Sequence, residues 1–307
     1  MRRPPSPPSR LWGVLFKTLT GLAAFAVVAM VAVILTHLVM HGWHSLSWAF
    51  LTEPPSNANT EGGICPAIIG TFALVLLMTV AGVPFGVLTA IYLQEYAPPG
   101  SRALHLIRLA VQNLAGVPSI VFGLFGLGFF VQFSGGTLDR LFHGGELHWG
   151  QPAIVWAALT LAVMTLPTVI VATEEALRAV PQGYREAAYA LGATRWQMVR
   201  HVLIPQSMGG ILTGTILAIS RGAGEVAPIL FTGAAYSLPD LPRRLTDQFM
   251  ELGYHVYVLA TQSPDVDATE PILYATVLVL LGLTFTLNFT AVLIRARIRK
   301  RLRGMRG

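Results

Sequence analysis

Residues 186–205 read EAAYALGATRWQMVRHVLIP, and this stretch decides how the chain is interpreted. It is polar enough to leave a membrane, yet long apolar runs stand on both sides of it. The pattern therefore predicts a structured loop between two membrane helices. A short turn would be sufficient to join two such helices, so the extra length indicates a loop that binds a partner.

The composition of the whole chain indicates a membrane protein. Of its 307 residues, 53% are hydrophobic and only 12% are charged, whereas soluble domains are about a quarter charged. Six apolar runs are each long enough to cross a hydrocarbon core of about 30 Å, so the sequence predicts an all-α membrane protein with six transmembrane helices. The predicted spans are Thr18–Met40, Ala67–Leu93, Leu109–Phe133, Pro152–Thr173, Gly210–Thr232 and Ile272–Ile294.

These spans divide the chain into three parts. Residues 1–17 are basic and rich in proline, and we expect them to be disordered. Residues 18–294 form the six-helix domain, with the partner-binding loop at about 174–209, and residues 295–307 form a basic tail. The first apolar run is longer than the 7–15 residues typical of a cleaved signal peptide, which favours a retained helix.

The distribution of Lys and Arg predicts the orientation in the membrane. If both termini are cytoplasmic, only Arg140, Arg243 and Arg244 lie on the outer side, and Arg221 lies within a span. All other basic residues are then inside. The net charge of +6 is explained by this bias, without a nucleic-acid partner.

The loop has local signals for two short helices. Pro181 suits the first position of a helix, and Gly192 suits its end. Thr194 and Gln197 have the spacing of a capping box that starts a second helix, which we expect to reach about His201. Pro205 should then redirect the chain into the fifth span.

The same loop resembles that of ABC importer permeases. Glu-Ala-Ala at 186–188, Gly192 separated by nine residues from Val202, and Pro205 reproduce the family pattern, with Val202 and Ile204 where isoleucine and leucine are usual. The resemblance implies a type I permease whose two-helix loop is a coupling helix that sits in a groove of the ATPase subunit. The residues implied in ATPase coupling are Glu186, Ala187, Ala188, Gly192 and Pro205.

The chain itself has no sequence for ATP hydrolysis. A Walker A loop needs a lysine after a glycine-rich run, and the only lysines are Lys17 and Lys300, neither of which follows one. ATP and magnesium would therefore be bound by a partner, and the chain is predicted to have no cofactor and no metal site of its own. The single Cys65 is expected to be structural.

The fifth span contains two opposite charges. Arg221 and Glu225 are four residues apart, so on a helix they share a face and can pair, and ionisable groups inside a membrane usually mark function. The planar fork of a guanidinium suits a tetrahedral oxyanion. We therefore assign Arg221, Glu225 and Ser220 to a substrate pathway; mutual neutralisation of the two charges is the alternative.

This segment resembles the phosphate importer permeases in particular. Residues 90–96, 118–124 and 167–181 agree as well, so the resemblance covers most of residues 62–235, although Val226 replaces the usual threonine. It implies a heterodimer with a second permease, two ATP-binding cassette subunits and an external phosphate-binding protein, in the inner membrane of a bacterium. A permease for molybdate or sulfate, an ATP-independent channel or carrier, and a scaffold subunit are the alternatives.

Other patterns have simpler explanations. The small residues repeated at every fourth position from Gly210 to Gly222 predict close helix packing. Residues 245–259 have helical spacing, which predicts an amphipathic helix at the outer surface, packed on the bundle or free for a partner. Glu174 and Arg178 form a pair that we expect at a solvated helix end. His37, His41 and His44 share one helix face without a nearby carboxylate or cysteine, which favours an interfacial cluster over a metal site.

Overall fold

The computed structural model describes residues 7–98 and 100–304, which form a helical bundle. Its α-helices are α1 (Pro7–Gly42), α2 (Trp48–Thr52), α3 (Cys65–Ile91), α4 (Arg102–Leu114), α5 (Ser119–Phe125), α6 (Gly136–Phe142), α7 (Ile154–Arg178), α8 (Gln182–Ala190), α9 (Arg195–Met198), α10 (Ile204–Gly222), α11 (Leu252–Gln262) and α12 (Val266–Gly304). Stretches of π-helix at Tyr92–Tyr96, Gly126–Gly135 and Val199–Leu203 continue α3, α5 and α9. Short 3₁₀ turns lie at Trp43–Ser45 and Asn57–Asn59, and the strands β1 (Pro55–Ser56) and β2 (Glu61–Gly62) form one antiparallel pair.

Within the described residues, six helical stretches are long and apolar enough to cross a membrane, which confirms the predicted fold class. They are Trp12–Ser45, Cys65–Tyr96, Ser119–Phe142, Ile154–Arg178, Arg195–Gly222 and Val266–Ile298. The fourth stretch, α7, is the centre of the bundle, because 67% of the residues in its most apolar 18-residue segment are buried. In the first and last stretches that share is 0%, so α1 and α12 lie at the periphery, in contact with each other.

Small residues bring the central helices together. On α3, Gly82 approaches Ala162 of α7 so closely that an added Cβ would lie 3.3 Å from its Cβ. On α10, an added Cβ at Gly214 would lie only 2.3 Å from the Cβ of Ala172. The predicted small-residue face of the fifth span is therefore a packing surface against α7.

Two predicted boundaries in the first half of the chain are wrong. Helix α1 begins at Pro7, so residues 7–17 are helical rather than disordered; residues 1–6 lie outside the described part of the chain. The third span begins at Ser119 rather than Leu109, because Gly116, Val117 and Pro118 interrupt the helix. The preceding α4 is a separate amphipathic helix. Its apolar residues make the hydropathy of the chain high before the span begins, which is why the predicted span started too early.

Helix α11, which was expected at the outer surface, is shorter than its sequence pattern suggested. Helix α11 begins at Leu252, and Phe249 lies in the preceding loop, fully buried and bridged to Ala234. Val258 and Leu259 are buried as well. This helix packs on the bundle, which agrees with the simpler of the two expectations.

Candidate coupling and translocation site

The loop between α7 and α10 has the two-helix form that its sequence predicts. Gly192 follows α8 with a φ of +81°, in the left-handed region that glycine tolerates best. Thr194 and Gln197 form the predicted capping box: the Thr194 amide donates to Gln197 Oε1 at 2.8 Å, and the Gln197 amide donates to Thr194 Oγ1 at 3.3 Å. The chain thus turns sharply and begins a new helix.

Both prolines have different roles from those predicted. Pro181 is the residue before α8 rather than its first member. Pro205 does not redirect the chain, because α9, the π-stretch Val199–Leu203 and α10 form one continuous helix. The wider π-turn lies immediately before Pro205, which lacks an amide donor, so it accommodates the proline without a break.

A buried ion pair fastens this loop to the end of α3. Arg185 of α8 donates to Glu95 Oε1 at 2.9 Å, and the two side chains are only 11% and 8% exposed. The same guanidinium donates to the carbonyls of Val180 at 2.8 Å and Leu177 at 2.9 Å. These carbonyls end α7, so one side chain joins three elements.

A second polar cluster lies beside it, where a solvated pair was expected. Glu174 is buried, and it accepts from Arg108 of α4 at 3.1 Å as well as from Arg178 at 3.5 Å. Arg178 also donates to Gln94 Oε1 at 2.9 Å. The expectation of a solvent-exposed pair is therefore wrong, because Arg108, 66 residues away in the chain, covers the carboxylate.

The outward side of the loop is unusually apolar. Leu191 is 89% exposed and Trp196 is 53% exposed, and Glu186 and Ala187 lie on the exposed surface too. Ala188 faces the other way and packs among Leu177, Met198 and neighbouring side chains of the loop's own core. We call the exposed set, including Tyr184 and Tyr189, the coupling face.

The fifth span ends in the middle of the expected membrane segment. Helix α10 stops at Gly222, and residues 223–233 form turns interrupted by irregular backbone at 225–226, so the predicted helix from Gly210 to Thr232 is wrong in its second half. The turns pack closely on α5: an added Cβ at Gly123 would lie 2.8 Å from the carbonyl oxygen of Ala227. Irregular backbone is tolerated at membrane depth only where protein or a polar cavity surrounds it.

The two charges of the span meet at this helix end. Arg221 Nε lies 3.6 Å from Glu225 Oε1, and the side chains are 47% and 23% exposed. The pair is therefore formed across the end of α10 and not along a helix face. The last turn of a helix favours a cation such as Arg221.

Ser220 brings in a residue that the sequence did not single out. Its hydroxyl has one hydrogen to donate and lies within hydrogen-bond distance of two acceptors, Ile216 O at 2.8 Å and Oδ1 of Asn288 on α12. The available signal was the asparagine itself, a strongly polar side chain within an apolar span.

The histidines of α1 form an aromatic cluster. The rings of His37 and His41 stack, and both contact the ring of Tyr274.

A buried carboxyl lies at the start of α11, close to the segment that follows the helix break. Glu251 caps α11 by accepting from the amides of Gly253 at 2.9 Å and Tyr254 at 2.6 Å. Thr71 of α3 contacts the same carboxyl and accepts from the Leu252 amide. Burial raises the pKa of Glu251 to about 7, although the two amides oppose the shift. The Val226 side chain lies next to this cap, beside Gly253.

Comparison with known proteins gives a consistent result. Residues 82–304 match the family of binding-protein-dependent transport system inner membrane components. The chain is 33% identical over 262 residues to the probable ABC transporter permease protein YqgI of Bacillus subtilis, covering 81% of this chain and 84% of that protein. It is 34% identical over 264 residues to the phosphate transport system permease protein PstA 2 of Mycobacterium bovis, covering 83% and 80%.

Other relatives and solved structures agree on the fold. The phosphate transport system permease protein PstA of Yersinia pestis is 40% identical over 206 residues, which is 65% of this chain and 62% of that protein. A bacterial ABC transporter that imports alginate superposes with a TM-score of 0.64 at 14% identity, over 94% of this chain and 99% of the other. The relatives also include a PstC permease from Mesorhizobium japonicum, 33% identical over 237 residues, or 72% of each chain.

The matched residues contain both the coupling face and the broken fifth span, and the matches extend over most of the chain. In ABC importers of this kind the permease and the ATPase are separate subunits, so the chain is a multi-pass membrane permease and not the ATPase. It belongs to the family of inner membrane components of binding-protein-dependent transport systems.

Proposed function

We propose that this chain forms one half of an ATP-driven pathway that imports inorganic phosphate. The observation that carries the proposal is Arg221, which is 47% exposed although it lies on a membrane-spanning helix. A guanidinium does not face hydrocarbon without a large penalty. The exposed side of Arg221 must therefore face a second subunit or a hydrated path, and both conditions are met at the interface of a permease pair.

The chemistry of this position suits a phosphate ion. A guanidinium provides a planar set of donors that matches two oxygens of a tetrahedral anion. Glu225, 3.6 Å away, can hold the guanidinium when no anion is bound and give it up when one arrives. The names of relatives such as the Yersinia pestis and Mycobacterium bovis proteins support phosphate among the oxyanions.

Replacement of Arg221 tests the pathway directly. Arg221→Ala should abolish uptake of labelled phosphate in a strain that lacks the chromosomal gene, while the complex still assembles. Arg221→Lys keeps the charge but loses the planar fork, so we expect weaker uptake with a raised KM. Retained phosphate uptake by Arg221→Ala would refute the pathway role. If Arg221→Ala lost sulfate or molybdate uptake and kept phosphate uptake, the transported oxyanion would be sulfate or molybdate.

The energy would come from a separate pair of ATP-binding cassette subunits docked on the coupling face. Exposed apolar side chains on a polar loop, Leu191 at 89% and Trp196 at 53%, are typical of a surface that is covered in an assembly. Glu186 lies on this face. Glu186→Lys should therefore reduce transport-linked ATP hydrolysis; normal substrate-stimulated hydrolysis would contradict the docking.

The proposed assembly also contains a second, related permease and an external phosphate-binding protein. Both termini are proposed to be cytoplasmic in the plasma membrane of a bacterium, as the basic residues indicate. A tag on either terminus should resist external protease in intact cells. Digestion of a terminal tag would overturn the orientation.

A further inference from the structure

We propose that Asn288 of α12 is a second substrate-contacting residue, which donates its amide hydrogens to the oxyanion beside Arg221. This inference rests on the proposed function, because it names a further ligand in the same pathway. The proposal comes from three observations: where Asn288 lies, how its side chain is held, and which of its polar atoms is left over.

Asn288 lies at the edge of the bundle core. Leu287, before it, packs against the central apolar cluster, whereas Phe289, after it, is 53% exposed. Asn288 itself is partly buried. Asn288 is therefore not enclosed by the bundle, and neither is Arg221 on α10, whose side chain is 47% exposed.

Ser220 fixes the side chain in this place. Its hydroxyl meets Asn288 Oδ1, which joins α12 to the residue directly before Arg221 in the chain. Consecutive Cα atoms are about 3.8 Å apart. Asn288 and Arg221 are therefore connected through Ser220 at one level of the membrane.

The amide nitrogen is the remaining group. Asn288 Nδ2 makes no hydrogen bond to any described residue. Inside a membrane an amide with unused donors costs free energy, and an anion that passes the neighbouring guanidinium would satisfy it. The arrangement thus leaves two neutral donors on α12 at the level of one cation on α10.

A neutral donor suits a transport site for a charged substrate. Hydrogen bonds to a charged group are stronger than those between neutral groups, so the amide adds affinity and orientation. It adds no second positive charge, which would hold the anion more tightly and slow its release to the cytoplasm. The alternative is that the Ser220–Asn288 hydrogen bond only joins two helices.

The two explanations predict different results for matched variants. Asn288→Ala should raise the KM for phosphate uptake roughly tenfold or more, the effect of losing hydrogen bonds to a charged partner. Ser220→Ala should raise it less, because that residue only positions the amide. Asn288→Asp keeps the acceptor for Ser220, so the complex should assemble, but its carboxylate repels the anion and uptake should be lost. Thr286→Ala is the control on the same helix, because among the described residues Thr286 bonds only its own helix backbone.

Assembly is measured by co-purification of the other subunits, and uptake with labelled phosphate at several concentrations. Equal effects of Ser220→Ala and Asn288→Ala on both readouts would show that the hydrogen bond only joins the helices. An unchanged KM in Asn288→Ala, or normal uptake by an assembled Asn288→Asp complex, would overturn the proposal too. Arg221→Ala separates failure of the proposed pathway from failure of the Asn288 proposal. Normal phosphate uptake by Arg221→Ala refutes the pathway itself. Loss of uptake in Arg221→Ala together with normal uptake in Asn288→Ala refutes only the second contact.

Discussion

The buried pair between Arg185 and Glu95 offers the sharpest test of how the coupling loop is held. Arg185→Ala removes a guanidinium that lies 2.9 Å from the carboxylate and also binds two carbonyls at the end of α7. Glu95 is then left 8% exposed without its cation. Loss of one partner of a buried pair costs about 3–5 kcal/mol.

This cost should appear in the local stability of α8 rather than in the whole bundle. Since 1.36 kcal/mol corresponds to a factor of ten, the amides of α8 should exchange their hydrogens roughly 10²- to 10⁴-fold faster in the variant. The assay is hydrogen exchange followed by mass spectrometry on the purified transporter. Arg200→Ala is the control, because Arg200 is exposed on the same loop.

Two further variants complete the test. Arg185→Lys keeps the charge but loses the fork that reaches three acceptors, so it should show an intermediate effect. Glu95→Ala combined with Arg185→Ala removes both charges, and the double variant should be less damaged than the sum of the single variants. Exchange in Arg185→Ala no faster than in Arg200→Ala would refute the argument that this pair holds the loop.

The remaining predictions concern helix packing and the cap of α11. Gly214→Ala places a Cβ 2.3 Å from that of Ala172, so it should lower the free energy of unfolding by about 1–3 kcal/mol. Gly209→Ala is the control, because an added Cβ there meets nothing within 4 Å. Equal melting curves for the two variants would contradict the packing argument. Glu251 has its pKa raised from 4.5 to about 7, so the folded state binds the proton more tightly than the unfolded state and stability falls as pH rises between these values, by about 3 kcal/mol. Glu251→Gln should lack that fall in denaturation curves measured across this range, and parallel curves for the two proteins would show that Glu251 is not its source.

The features that could be predicted from the sequence depend on neighbouring residues. The capping box of Thr194 and Gln197 and the left-handed Gly192 each involve a few adjacent positions, so their chemistry is visible in the chain itself. The six membrane helices follow in the same way from six continuous apolar runs. The two-helix outline of the coupling loop is therefore predictable from local sequence alone.

The features that were missed depend on distant residues or on helix breaks within apolar runs. The hydropathy of residues 223–232 stays high after Gly222, and apolar composition does not distinguish helix from buried turns; Gly224 and Pro228 were the only local signals. Arg108 covers Glu174 from 66 residues away, which no spacing rule detects. Asn288 was missed because a single polar residue in a span has no pattern around it.

The continuity of the fifth span has a mechanical consequence that the predicted break at Pro205 would have removed. From Arg195 to Gly222 the chain is one helical rod with a single π-stretch, and at 1.5 Å per residue Trp196 and Arg221 are about 37 Å apart along it. A tilt of roughly 10° about the Arg195 end would move the Gly222 end by about 6 Å, because the displacement grows with the length of the rod. In the proposed mechanism, a small displacement of the coupling face is therefore enough to move Arg221 away from Glu225 or towards an anion. The π-stretch near the base of the rod is the one place where this movement could be lost by bending, since π-turns interrupt the regular hydrogen bonds of a helix.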